Sequence, residues 1–323
     1  MHRLAALIMR GRVYAMLIAA VFGVISLLLP PLQPITTTVS GGAVALVALR
    51  LGAREALYVI LGALAGVMIV AVPLLGGPAA AVVLAAIVWL PVVVLALVLR
   101  QTMSMALTLQ VAVLLAGAVV IGIHGLIPDP AAWWRDMLTN MVQQSQLDKT
   151  GLEQMGQILQ NVAPYMTGIV ASALMLSALL SMVVGRWWQS LLYNPGGFGA
   201  EFRALRLGNR VAYPGVVVLA ASLSGQFASS GALATIATDL LVVLVLIYTL
   251  QGLAVAHAIA FAVERSMRWL AWGLMLVYVL LAILPPFVVV ALAGIGFADH
   301  WMNFRAYFDA KKPDVPPDVP REP

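Results

Sequence analysis

The chain contains no cysteine, just 10% of its 323 residues are charged, and no lysine falls in any of its apolar runs. Each shortage excludes something. Without cysteine there are no disulfides, thiolate metal sites or cysteine nucleophiles. The four histidines lie far apart with no metal-ligand spacing, so no metal site is expected. The absence of lysine from the apolar runs argues against a retinal-type Schiff base. H-E-x-x-H, P-loop, G-x-S-x-G and dinucleotide-binding signatures are all missing. Gly196, Gly197 and Gly199 form a glycine cluster, but no strand precedes them and no Lys-Ser/Thr follows. The sequence therefore predicts no catalytic residues, no cofactor and no enzyme. Charge at 10% stands against about 25% in soluble domains. A water-soluble fold cannot cover so much apolar surface.

What is present is 63% apolar sequence, gathered in long runs. A helix needs about 20 apolar residues to cross about 30 Å of hydrocarbon. Nine segments come close: 13–31, 36–50, 55–75, 79–99, 102–126, 163–185, 211–229, 231–263 and 269–296. The second, carrying "ITTTVSGG", and the seventh, carrying "SLSGQ", are the weakest. The fold class expected is an all-α polytopic transmembrane bundle of eight or nine spans.

The net charge of +5 reflects basic loops, not a nucleic-acid surface. With the N-terminus in the cytoplasm, the inner loops hold twelve of the eighteen Lys and Arg beside only Glu55, Glu201 and Glu264. The positive-inside rule thus predicts a bacterial inner-membrane protein with a cytoplasmic N-terminus. The "LRLGAREALY" turn, with Arg50, Arg54 and Glu55, is one such loop. Charge leaves the tail from residue 299 to 323 undecided: outside with nine spans, inside with eight. Its final "KKPDVPPDVPREP" is expected to be disordered.

Residues 127–162 are polar with spaced apolar positions, and predict one or two amphipathic helices on the outer surface. They are either a connector or a lid over a cavity. Trp133 and Trp134 suit the headgroup level. Residues 186–212 form the widest inner loop. There Asn194–Gly199 reads as a turn and 201–207 as a short amphipathic helix, its Arg facing lipid phosphate.

Ionisable groups inside spans are costly and therefore functional candidates. Asp239 and His257 lie eighteen residues apart, five whole helical turns, so they share one face. Glu264 falls near the same face. The stripe either lines a proton, ion or solute path or sits hydrated at the two interfaces. Tyr248 and Gln251 lie on other faces of this span, where they could hydrogen-bond to a neighbouring helix. Gln110 in the fifth span is a candidate of the same grade, and His124 near its outer end a weaker one. Ala15, Ala19 and Gly23, spaced by four, permit close helix contact in the first span.

Three stretches in order, "NPGGFGAEFRALRLG", "YTLQGLAVAHAI" and "GFADHWMNFR", resemble the YybS-like family of predicted bacterial membrane proteins. That resemblance covers most of the chain and implies no particular activity. The family is in turn distantly similar to the S components of energy-coupling-factor vitamin transporters. The pattern shared with those proteins is a first span with small residues four apart, then "LPPLQPI", a short second span and the "LGARE" turn. This likeness implies a six-span bundle over 1–185, with Ala15, Ala19 and Gly23 docking an energy-coupling transmembrane subunit. The loop 186–212 and three further spans over 213–298 depart from it.

The leading expectation is an S-component-like protein that binds or transports a small solute, entering from the outer side beneath residues 127–162. The alternative is a membrane scaffold that captures partners through the 186–212 loop, with Glu201, Arg203 and Arg206 as docking candidates. The lipid bilayer is a partner in both cases, and nucleic acid in neither.

Overall fold

A computed structural model describes residues 1–144, 149–227, 231–263 and 271–309. Among them every regular element is helical, as expected for a membrane bundle: backbone groups in lipid must be satisfied within the segment that carries them. Among the described residues, seven helical segments are long and apolar enough to cross a membrane: 30–51, 53–75, 79–102, 105–126, 155–193, 232–262 and 285–302. Arg12–Leu28 is apolar but shorter. The helices divide into two compact units, Met1–Phe202 with Leu207–Ile247, and Arg203–Arg206 with the chain from Tyr248 onward.

In the first unit, α1 (His2–Ile8) and α2 (Arg12–Leu28) precede a 3-10 turn at Pro30–Leu32 and α3 (Gln33–Leu51). The "ITTTVSGG" helix α3 is the buried centre of the unit, not a marginal span: Ser40, Ala43, Val44, Leu46 and Ala48 are inaccessible. Its glycines explain this. A Cβ on Gly41 would stand 2.7 Å from the Cβ of Ser181, and one on Gly42 2.9 Å from Val184. Both neighbours lie on α10 (Met166–Tyr193). Polar and small residues lower the apparent hydropathy of α3 because it faces helices, where close approach matters more than oiliness.

Gly52, at φ 96°, turns the chain into α4 (Ala53–Leu75). Glu55 lies in the first turn of α4, where the helix dipole favours an acid. It also pairs with Arg12 through two bonds of 2.5 and 2.6 Å. The next crossing comprises α5 (Ala79–Leu84), a π-turn at Ala85–Trp89 and α6 (Leu90–Thr102). Pro91 has no N–H for the ladder, and the π-turn just before it absorbs the irregularity. Trp89 is fully buried and donates its indole N–H to Ser40 Oγ (3.0 Å), which donates to the Ala19 carbonyl (2.7 Å).

Helix α7 (Met105–Leu126) leads to the segment expected to be amphipathic, which forms α8 (Pro130–Gln143) and α9 (Lys149–Val162). Asp129 caps α8 by accepting from Ala132 N at 3.0 Å, and Pro130 takes its first position. The short helix of the inner loop is displaced from its expected place: α11 is Gly197–Arg203, not 201–207. Gly196, at φ 86°, makes the turn, so the helix begins at once, and residues 205–208 have no regular structure, with Gly208 at φ 70°. Helix α12 (Asn209–Phe227) and the first half of α13 (Ala232–Val263) complete the unit.

The second unit holds the other half of α13, then α14 (Ala271–Ile283), α15 (Pro285–Met302) and α16 (Phe304–Asp309). The expected ninth span, 269–296, is thus two helices, broken where Leu284 adopts φ −128°, ψ 53° before Pro285-Pro286. Arg203 stacks over Phe261 near the end of α13, at 3.9 Å, while its carbonyl accepts from Arg305 beyond α15 (2.7 Å). The α14–α15 pair therefore comes back to residues 203–206. The stretch from 310 on, like Glu264, lies outside the described residues.

Candidate functional site

Among the described residues of the first unit, Asp239 is the centre of a buried ionisable cluster. Asp239 stands eight residues into α13 and is 1% exposed. Its Oδ2 lies 2.7 Å from His124 Nε2, near the end of α7, and the imidazole is itself buried. Its Oδ1 accepts from the backbone N–H of Gly168 at 2.8 Å.

Local sequence explains why that N–H is available. Ala163-Pro164-Tyr165 forms a 3-10 turn, after which α10 starts afresh at Met166. The first N–H groups of a helix have no partner within it and carry the positive end of its dipole. Asp239 supplies an acceptor of the right sign from another helix. Gly168 is what lets the two backbones approach: a Cβ there would lie 2.6 Å from the Asp239 carbonyl oxygen and 2.8 Å from its Cα. Next to Gly168, Thr167 is buried and its Oγ1 accepts from Trp134 Nε1 at 3.0 Å, tying α8 to the same point. Ser222 on α12 and Thr238 on α13 share a hydroxyl contact of 3.1 Å beside it.

His124 carried only a weak signal in the sequence, and Gly168 none. Matching depth could have paired His124 with Asp239. His124 is two residues from the end of α7 and Asp239 seven from the start of α13, at ends that antiparallel topology places on one side.

His257 is not brought to Asp239. Eighteen residues put it about 27 Å further along the helix, in the second unit. There its Nδ1 lies 2.8 Å from the Leu253 carbonyl and its Nε2 3.2 Å from Tyr278 OH. Gln251, 2% exposed, donates to the Gly296 carbonyl at 2.6 Å, and Thr249 to the Val289 carbonyl at 3.0 Å. Tyr248 packs edge-on against Phe297. These groups fasten α13 to α15 where Gly252 and Gly296 meet the opposing backbone; a Cβ on Gly252 would overlap the Leu292 carbonyl.

The second unit has its own buried acid. Asp299 is inaccessible in the last turn of α15, where the helix dipole disfavours an anion. Arg305 and Arg206 approach it at 3.4 and 3.9 Å without a hydrogen bond to either oxygen. Arg305 also donates to the carbonyls of Arg203 and Leu205, and Arg206 to Asn303. Burial pushes the Arg305 guanidinium down from its usual range, and Asp299 pushes it back up.

The remaining candidates have internal roles. Gln110 donates to the Leu207 carbonyl at 2.7 Å. Glu201 receives both Nε and Nη2 of the buried Arg186, clamping α11 to α10. Ala15 and Ala19 are buried in the core, and a Cβ on Gly23 would meet Leu84 and Val67 at 3.2 Å. That stripe serves the bundle's own packing.

Two cavities flank α7. One, about 170 Å³, lies within the six-span half and is lined by apolar residues, among them Pro91, Leu95, Ala112, Ala116 and Met175. The other, about 570 Å³, lies between α7, α12 and α13. Among the described residues, ligand-sized space adjoins α12. Among the described residues no three His, Asp or Glu come together to hold a metal ion.

No curated protein and no solved structure matches the chain. A family profile matches residues 132–300, more than half of the sequence, from α8 to the end of α15 and so including Trp134, Gly168, Asp239 and Asp299. It agrees with the resemblance carried by the loop, α13 and tail stretches. The chain belongs to the family described as Predicted membrane protein (DUF2232).

Proposed function

We infer that this integral membrane protein binds a small solute and moves it across the bilayer, with Asp239 and His124 as the ionisable centre. The observation that carries this reading is a carboxylate within a span whose partner is an imidazole. Burying a carboxylate in a span is costly, and packing alone gives no reason to retain it. An imidazole can take up or release a proton, whereas a guanidinium in a protein stays charged. A solute step coupled to protonation needs such a pair. Trp134 gives the outer amphipathic helices a direct connection to the centre through Thr167 and Gly168, so their movement would be felt at Asp239. By the positive-inside reading, the N-terminus and the 186–212 loop face the cytoplasm of a bacterial inner membrane, and Asp239 lies toward the outside.

An energy-coupling partner of the S-component kind belongs to the same proposal, with a docking surface other than Ala15, Ala19 and Gly23. The scaffold alternative has less support, because Glu201, Arg203 and Arg206 are engaged within the chain.

The test begins with a thermal-stabilisation screen of the purified protein against water-soluble vitamins and organic ions. Uptake of the labelled hit into proteoliposomes follows, with pull-down of any coupling subunit. Asp239→Asn should lower uptake at least tenfold while the protein still melts cooperatively. Equal uptake by wild type and variant would sink the proposal.

A further inference from the structure

The cavity between α7, α12 and α13 has a shape and polarity that the solute reading does not use. Leu114, Gly117, Ile121, Val218 and Leu244 line it, and its polar groups, Gln110 and Arg210, stand together at one end. Gln110 is turned to the Leu207 carbonyl, which leaves Arg210 as the charged group at the mouth. Arg210 is exposed and makes no ion pair among the described residues. In this its setting differs from that of Arg186, Arg206 and Arg305, each of which has an acid beside it.

The dimensions are those of one leaflet. From Arg210 to Val218 the groove follows α12 for about 12 Å, and along α7 from Leu107 to Ile121 for about 21 Å. Half the hydrocarbon thickness is about 15 Å. Small residues open the space: Gly117 on α7 leaves Leu240 as the nearest side chain, and Gly215 and Pro214 lie on the facing side. Pro214 cannot donate to the carbonyl of Arg210, four residues before it, so the mouth carries a helix turn that lacks its ladder bond.

We propose that this groove is a binding site for one anionic phospholipid, its acyl chain between α7, α12 and α13 and its phosphate on Arg210. The occupant is an amphiphile because the lining is apolar for a leaflet's depth and charged only at the headgroup end. It is anionic because the charge there is an unpaired guanidinium, which matches phosphate oxygens with paired N–H donors. The proposal stands apart from the transport reading: the groove can hold lipid whether or not Asp239 moves a solute.

Native mass spectrometry of the full chain, titrated with phosphatidylglycerol and with phosphatidylcholine of the same acyl chains, tests it. Phosphatidylglycerol should be retained the more strongly. Arg210→Gln should cut that retention about fivefold, as expected for one basic group at a charged lipid surface, and lower retention of phosphatidylcholine, whose choline offsets its phosphate charge, by less. Val218→Trp should lower retention of both lipids by filling the groove. A melting curve for each variant confirms the fold, and Gly117→Leu replaces any that fails. Equal retention of the two lipids, an unaltered Arg210→Gln profile, or displacement of phosphatidylglycerol by millimolar inorganic phosphate would overturn the assignment.

Discussion

Asp239 and Asp299 are both buried aspartates on long apolar helices, yet the two units hold them by opposite means. Asp239 is gripped by two short hydrogen bonds, from a histidine and from a helix N-terminus that already favours an anion. Asp299 sits at a helix C-terminus that disfavours it and is met by two guanidiniums at longer range. The first arrangement is the one on which the proposed solute step rests. The second is a fixed charge balance that ties residues 203–206 to the end of α15. A buried acid in a membrane protein is therefore no single signal: its partners and the helix end it occupies set its surroundings.

Mutations should separate the two sharply. The largest effect is expected for Asp299→Ala, which strands the buried Arg305 charge and should cost about 3–5 kcal/mol in thermal or denaturant unfolding of the detergent-solubilised protein. A loss below 1 kcal/mol would show that the clasp is decorative. Next comes Gly252→Ala, whose new methyl meets the Leu292 backbone and cannot be accommodated by rotating a side chain. Overpacking of this kind costs about 1–3 kcal/mol. Gly168→Ala belongs in the same range, but it should also part Asp239 from its N–H donor and so lower transport. Its uptake defect ought to exceed that of Gly252→Ala at matched stability. Asp239→Asn retains the shape and one acceptor, and should cost only about 1 kcal/mol in stability while abolishing uptake. The smallest change is expected for Arg12→Gln at the exposed pair with Glu55, where the melting temperature should not move measurably.

The sequence disclosed the helices better than their tasks. Runs such as 55–75 and 102–126 lie within a few residues of α4 and α7, because lipid imposes length and apolarity on each span separately. It ranked α3 as a weak span, since hydropathy reads Thr, Ser and Gly as losses although a helix surrounded by helices gains from them. It also read 269–296 as one span, giving "ILPP" too little weight as a break. Asp239 stood out because one acid in a span is conspicuous. Gly168 did not, because a glycine among 27 acquires meaning only from the backbone that passes it.

Composition alone determined that this is a polytopic helical membrane protein of few charges, and that its basic residues gather in loops, for these follow from the solvent each residue must face. Only the tertiary structure decided which charges meet. Helical periodicity relates Asp239 to His257 on its own helix, but Asp239 meets His124 and Gly168, 115 and 71 residues away. Such distances are closed by packing small residues between helices, which no pattern along one helix records.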